Sequence, residues 1–205
     1  LLIVRENYGN GQVDEFAPDG THLSLWLGAS YIIGGIKLTP NGKIALLCCG
    51  HPGYGPNELV EYDLDGSNPR VVIDSTMGVQ MYSFEFVSSS EVLVMDRGPD
   101  PNLSETKIKR YDWTTTPATY LGDLITPPPG IPLGFGFARN ALNGSIYDAG
   151  PHVGGEGCVF GWASDGTPLN GGQPFPTCYG PGPLYAGEVL IINDCGSLLD
   201  CNRNF

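Results

Sequence analysis

A short motif returns along this chain at a nearly fixed distance, and it limits the possible folds more than any other feature. It consists of an aromatic residue, two further residues and then Asp-Gly. Phe16-Ala17-Pro18-Asp19-Gly20, Tyr62-Asp63-Leu64-Asp65-Gly66 and Trp162-Ala163-Ser164-Asp165-Gly166 all fit it. Tyr111-Asp112-Trp113-Thr114 is a degenerate copy in the expected place, and the four aromatics lie 46, 49 and 51 residues apart. A period in the range of about 20–50 residues marks a repeat architecture, in which each unit covers the hydrophobic face of its neighbour.

A second element keeps step with the first. Apolar runs occur at Leu1-Leu2-Ile3-Val4, Lys43-Ile44-Ala45-Leu46-Leu47, Glu91-Val92-Leu93-Val94-Met95, Ser145-Ile146-Tyr147 and Glu188-Val189-Leu190-Ile191-Ile192. Most follow a turn such as Pro40-Asn41-Gly42 or Asn143-Gly144, and Asn-Gly and Asp-Gly supply the positive φ that tight hairpins need. Each unit reads as a four-stranded meander, with Asp-Gly turning the chain into its last strand, as in Thr21-His22-Leu23-Ser24-Leu25-Trp26. Continuous apolar strands suit burial on both faces. Alternating ones such as Gln12-Val13-Asp14-Glu15-Phe16 suit a more exposed place near a rim. Four strands in roughly 40–50 residues is the dimension of a propeller blade. The expected fold is all-β, a β-propeller-like array of four-stranded antiparallel blades. About four full units and partial terminal units are counted, and a five-bladed ring is one way to close them. Residues 1–194 form the repeat domain and 195–205 a separate tail.

The passage Asn7-Tyr8-Gly9-Asn10-Gly11-Gln12-Val13-Asp14-Glu15-Phe16-Ala17-Pro18-Asp19-Gly20 resembles a blade of the NHL-type and gluconolactonase-like propellers of secreted bacterial proteins. Leu38-Thr39-Pro40-Asn41-Gly42-Lys43-Ile44-Ala45 is similar to the next strand pair in that family. The resemblance covers about residues 1–115 and is weaker from 116 to 194. It implies a fold style rather than an activity. Gluconolactonase-like enzymes hold a divalent metal at the ring centre with Glu, Asn and Asp. Glu85, Asn140 and Asp148 are residues of those types here, but none sits in a motif that carries the role across.

Composition supports strands over helices. Gly (30) and Pro (18) make up almost a quarter of the 205 residues, and both end helices and serve turns. A formal charge of −12 argues against nucleic acid as a partner, because phosphate binding needs clustered Lys and Arg. No apolar run approaches the ~20 residues of a membrane-spanning helix. The sequence opens without Met, as a processed or excerpted segment would.

Six cysteines occur, at 48, 49, 158, 178, 195 and 201, without paired Cys-x-x-Cys zinc spacing. An even count of this kind points to disulfides and an oxidising compartment. The preferred pairs are Cys158–Cys178 and Cys195–Cys201. The adjacent Cys48 and Cys49 either form a vicinal disulfide or leave a buried thiol. The sequons Asn102-Leu103-Ser104 and Asn143-Gly144-Ser145 fit extracellular glycosylation. Together these features place the protein outside the cell, secreted or at the cell surface.

The tail Asp200-Cys201-Asn202-Arg203-Asn204-Phe205 puts Asp200, Asn202 and Asn204 at alternate positions. Oxygen ligands at that spacing begin many Ca²⁺ loops. The segment resembles Asp-Cys-Asn-x-Asn repeats near the ends of some secreted bacterial proteins, although Phe205 stands where a Gly would be due. A disulfide-tied tail is the competing reading, so Ca²⁺ is the one cofactor considered. No Gly-x-Ser-x-Gly elbow, Walker loop, dinucleotide glycine pattern or His-Glu-x-x-His is present. Cys49-Gly50-His51 puts a thiol near an imidazole, but side chains two apart in a loop rarely form a dyad. Trp26, Trp113 and Trp162 could stack on sugars, yet their repeat phasing marks them as packing residues.

The sequence therefore supports, first, a non-enzymatic extracellular structural or assembly protein that self-associates head to tail through its terminal strands, to the point of forming a filament. The alternative is an extracellular glycan- or protein-binding propeller module. A metal-dependent lactonase-like hydrolase comes third.

Overall fold

The computed structural model of the chain describes residues 2–7, 10–28, 32–49, 57–98, 106–128, 133–134, 136–151 and 157–175. The chain divides into two compact units, Leu1–Pro129 and Gly130–Phe205.

The first unit holds three antiparallel sheets, each a meander. Blade 1 is β1 (Leu2–Asn7), β2 (Asn10–Phe16) and β3 (His22–Gly28), hydrogen-bonded in that order. Blade 2 is β4 (Ile32–Leu38), β5 (Ile44–Cys49), β6 (Glu58–Tyr62) and β7 (Arg70–Ile73). Blade 3 is β8 (Met81–Phe86), β9 (Glu91–Asp96), β10 (Lys107–Asp112) and β11 (Thr119–Ile125). A single 3₁₀ turn, Ser75–Met77, joins blades 2 and 3, capped by Asp74, whose carboxylate accepts from the Thr76 N–H.

The Asp-Gly motif builds the last hairpin of each blade by one recurring device. The N–H of Ala17 donates to Thr21 O, that of Asp63 to Ser67 O and that of Ala163 to Thr167 O, at 2.8, 2.9 and 2.8 Å. Gly20, Gly66 and Gly166 then take φ of +85°, +80° and +86°, which only glycine adopts without strain. Each motif Asp closes the loop by accepting the N–H two residues on: Thr21 to Asp19, Ser67 to Asp65 and Thr167 to Asp165, each at 2.9 Å. The degenerate copy makes the same closure two residues earlier in the motif, from Thr114 to Asp112 at 2.9 Å.

The apolar run of β5 is buried on both faces because a blade flanks each side. Along β5, Ile44, Leu46 and Cys48 join a cluster with Val13, Val60 and Tyr62, against Leu2, Trp26 and Leu27 of blade 1. The alternate residues Ala45 and Leu47 join Leu59, Ile73, Phe84, Val92, Tyr111 and Trp113 on the blade 3 side. Strand alternation divides one sequence between two cores. A fully buried Leu such as Leu46 contributes about 1.5–3 kcal/mol. Polar links add register between blades: Trp26 Nε1 donates to Leu64 O at 2.8 Å, and Ala118 N to Val72 O at 2.8 Å. Arg70 pairs with Glu61 at 3.0 Å, donates to Trp113 O at 3.0 Å and lies over the Trp113 ring.

The second unit carries blade 4: β12 (Phe137–Arg139), β13 (Ile146–Pro151) and β14 (Gly157–Trp162), hydrogen-bonded in that order. After its Asp-Gly hairpin, Trp162 bridges Pro168 in the place of a fourth strand. A 3₁₀ segment, Leu169–Gly172, returns the chain so that Phe175 N reaches Val159 O at 2.9 Å.

One expectation needs correction. Asp14 does not face a wet rim: it is buried, and it accepts hydrogen bonds from Gln12 and contacts the His22 ring at 3.0 Å. Period-2 alternation identifies a strand but not which of its faces a neighbouring blade will cover. Of the two readings open for the adjacent cysteines, Cys48 fits the buried thiol.

Candidate functional site

Three features rise above the repeat. The first is the edge of β1. In blades 2 and 3 the strands equivalent to β1, which are β5 and β9, are flanked by an inner strand, β4 or β8. Blade 1 shows no inner strand among the described residues, and its hydrogen-bonded order begins at β1. Among the described residues, the backbone of Leu2–Asn7 pairs on one side only, with β2, from Leu2↔Glu15 to Asn7↔Asn10. Such an edge is a template for strand addition.

The second is a cleft of about 320 Å³ in the first unit, lined by Met77, Lys107, Lys109, Tyr111, Tyr120 and Asp123. Alternation along β10 puts Lys107, Lys109 and Tyr111 on one face, and β11 brings Tyr120 and Asp123 beside them. Lys107 pairs with Asp123 at 2.7 Å, while Lys109 pairs with the buried Asp96 at 2.6 Å and lies 5.8 Å from the Tyr120 ring centre. The Tyr120 hydroxyl donates to Asp123. Partial burial works to raise the Asp123 pKa, but the hydrogen bonds from Lys107 and Tyr120 and the nearby lysine charges outweigh it and hold the carboxyl below its usual range. Tyr111 is buried beneath, and desolvation raises its phenol far above the normal value.

The third is Asp148 on β13. The pairings Ile146↔Trp162 and Ile44↔Tyr62 align Asp148 with Leu46, and Val92↔Tyr111 aligns it with Val94. A carboxyl thus stands where the sister blades place a fully buried aliphatic side chain. Both its oxygens accept the Gly134 N–H, at 3.0 and 2.9 Å. Burial raises its pKa to about 7, against the lowering pull of that N–H.

Glu85, Asn140 and Asp148 each have another engagement. Glu85 accepts Lys37 Nζ at 2.6 Å, and Asn140 accepts the Leu142 N–H within its own turn at 2.9 Å. No group of three or more His, Cys, Asp or Glu side chains among the described residues is placed to hold a metal. Trp113 and Trp162 are buried, and Trp26 is tied to Leu64 and Tyr62, so the tryptophans are packing residues. Asn143 is exposed in the β12–β13 turn, with its Oδ1 accepting the Ser145 N–H at 3.0 Å. Cys158 is buried on β14. Asn102, Cys178, Cys195, Cys201, Asp200, Asn202 and Asn204, with His51, lie outside the described residues. Sequence reading missed Lys107, Lys109, Tyr120 and Asp123. Their signal was the register: two and four residues before the motif aromatic, blade 3 has lysines where blade 4 has Phe160 and Cys158.

No known protein family matches the chain, and no curated protein sequence matches it. Among solved structures it is similar to a puromycin hydrolase, with TM-score 0.54 and 11% identity over 88% of this chain and 27% of that one. It is also similar to a 6-phosphogluconolactonase-type protein of Bacteroides fragilis, with TM-score 0.51 and 12% identity over 82% of this chain and 52% of that one. TolB of Acinetobacter baumannii aligns at TM-score 0.47 and 16% identity, over 84% of this chain and 41% of that one. The chain spans between about a quarter and a half of the length of these proteins. With the sheet pattern above, the likeness defines the class: an all-β protein of the β-propeller type.

Proposed function

We propose that the protein is a non-enzymatic extracellular assembly module, whose copies join head to tail when a terminal strand of one molecule adds to β1 of the next. The observation that carries this reading is the three-stranded blade 1, with its β1 edge open among the described residues, beside sister blades of four strands. The apolar, β-branched run Glu188-Val189-Leu190-Ile191-Ile192 has the composition of a donor strand. A head-to-tail contact of this kind makes a ring or, where the rotation does not close, a filament. The extracellular setting is supported by the exposed Asn143 sequon and by the even count of six cysteines, of which Cys158 is proposed to form a disulfide. Cys178 is the proposed partner, Cys195–Cys201 the second bond, and Asp200, Asn202 and Asn204 the proposed ligands should the tail take Ca²⁺. Light scattering across a concentration series, with negative-stain microscopy, tests the reading. Mass growing with concentration and linear or ring-shaped polymers are expected, and a monomer at every concentration overturns it.

A second reading, a glycan- or protein-binding module, is favoured by the preorganised cleft on blade 3.

A further inference from the structure

We propose that the cleft between β10, β11 and the 3₁₀ turn at Met77 binds a neutral pyranose sugar. The inference deepens the binding-module reading and is independent of assembly: polymer or monomer, the cleft is the same.

The argument begins with the register. Two residues before the motif aromatic, blades 2 and 4 place the apolar Val60 and Phe160, each 3% exposed, and blade 1 places the buried Asp14. Blade 3 places Lys109 there, and Lys107 two residues earlier. Lys107 and Lys109 border an open cleft of about 320 Å³. Ligand pockets begin near this size, at about 300 Å³.

The groups left in the cleft are fixed before any ligand arrives. Asp96 accepts the N–H groups of Gln80 and Gly98 at 2.8 and 3.0 Å with one oxygen and holds Lys109 at 2.6 Å with the other. Asp123 holds Lys107 and Tyr120. Tyr120 is 51% exposed, and its ring is braced by Tyr111 at 5.5 Å and by Lys109. The result is a half-open aromatic face with an ammonium and a carboxylate at its border.

That combination matches a sugar. The C–H face of a pyranose covers an aromatic ring, and its neighbouring hydroxyls donate to a carboxylate while accepting from an ammonium. The charges also select a neutral ligand. Lys107 is balanced by Asp123 and Lys109 by Asp96, so an anion gains no net field and must break a pair to enter. A purely apolar ligand would bury these polar groups without partners.

The probes are methyl β-glucoside, methyl β-galactoside, methyl α-mannoside and glucuronate, followed by saturation-transfer NMR and titration calorimetry. At least one neutral glycoside is expected to bind saturably with Kd on the order of 1 mM, little affected by salt. Tyr120→Ala and Asp123→Asn should each weaken it about tenfold or more, corresponding to roughly 1.4 kcal/mol. Tyr120→Phe, which keeps the ring, should retain most of the affinity and shows that the Ala variant acts through the lost face. Circular dichroism checks that each variant is folded. The proposal is overturned if no neutral glycoside binds, if Tyr120→Ala binds equally well, or if glucuronate alone binds with steep salt dependence. Each of these outcomes leaves the light-scattering result on assembly unaffected.

Discussion

Asp148 shows what one residue can do when it breaks a repeat. In the folded protein its carboxyl has a pKa near 7, because burial disfavours its charge more than the Gly134 N–H favours it. In an unfolded chain the value is close to the ordinary 3.8. The folded state therefore holds a proton that the unfolded state has lost between these two pH values. Its stabilising share is complete below about pH 4 and is lost as pH rises through 7. A shift of about three units corresponds to roughly 4 kcal/mol as an upper bound. Denaturation midpoints followed by circular dichroism from pH 4 to 8 should fall across this window. Asp148→Asn, which keeps an acceptor for Gly134 without a titrating proton, should flatten that fall, and an unchanged slope in the variant would remove Asp148 as its source. No sequence pattern announced this burial, since an Asp after an apolar run reads as a strand end until pairing with β12 and β14 fixes the register.

At the scale of elements, the hairpins were the most legible part of the sequence. The Asp-Gly spacing located the β2–β3 and β6–β7 turns and the end of β14, because φ near +80° leaves few residue choices. The environment of each glycine was not legible. Gly20 faces open space, whereas a Cβ at Gly66 would stand 3.2 Å from Trp26 O. Alanine should therefore cost about 1–2 kcal/mol at Gly20 from the left-handed backbone alone, and more at Gly66. Urea denaturation of the two variants gives the comparison, and equal losses would show that the Trp26–Leu64 link yields without cost. The cleft was illegible for a similar reason. Lys107-Ile108-Lys109-Arg110 reads as a solvated strand, and only the pairing of β10 with β11 shows that Tyr120 and Asp123 border it.

At the scale of the molecule, the repeat alone gave the sheet architecture. A chain whose apolar runs return with a fixed turn must stack like sheets on like sheets, and β5 accordingly supplies two cores from one strand. What the repeat left open is the edge of the stack, since a strand's own sequence does not name its partner. Amide hydrogen exchange of β1, measured in dilute solution and again where light scattering shows assembly, tests the strand-addition account most directly. The account predicts that the outward-facing amides of residues 2–7 exchange rapidly in the dilute protein and become protected on assembly, while β5 and β9 stay protected in both. Equal protection of β1 in both states would contradict it, because the edge would then already be paired within one molecule.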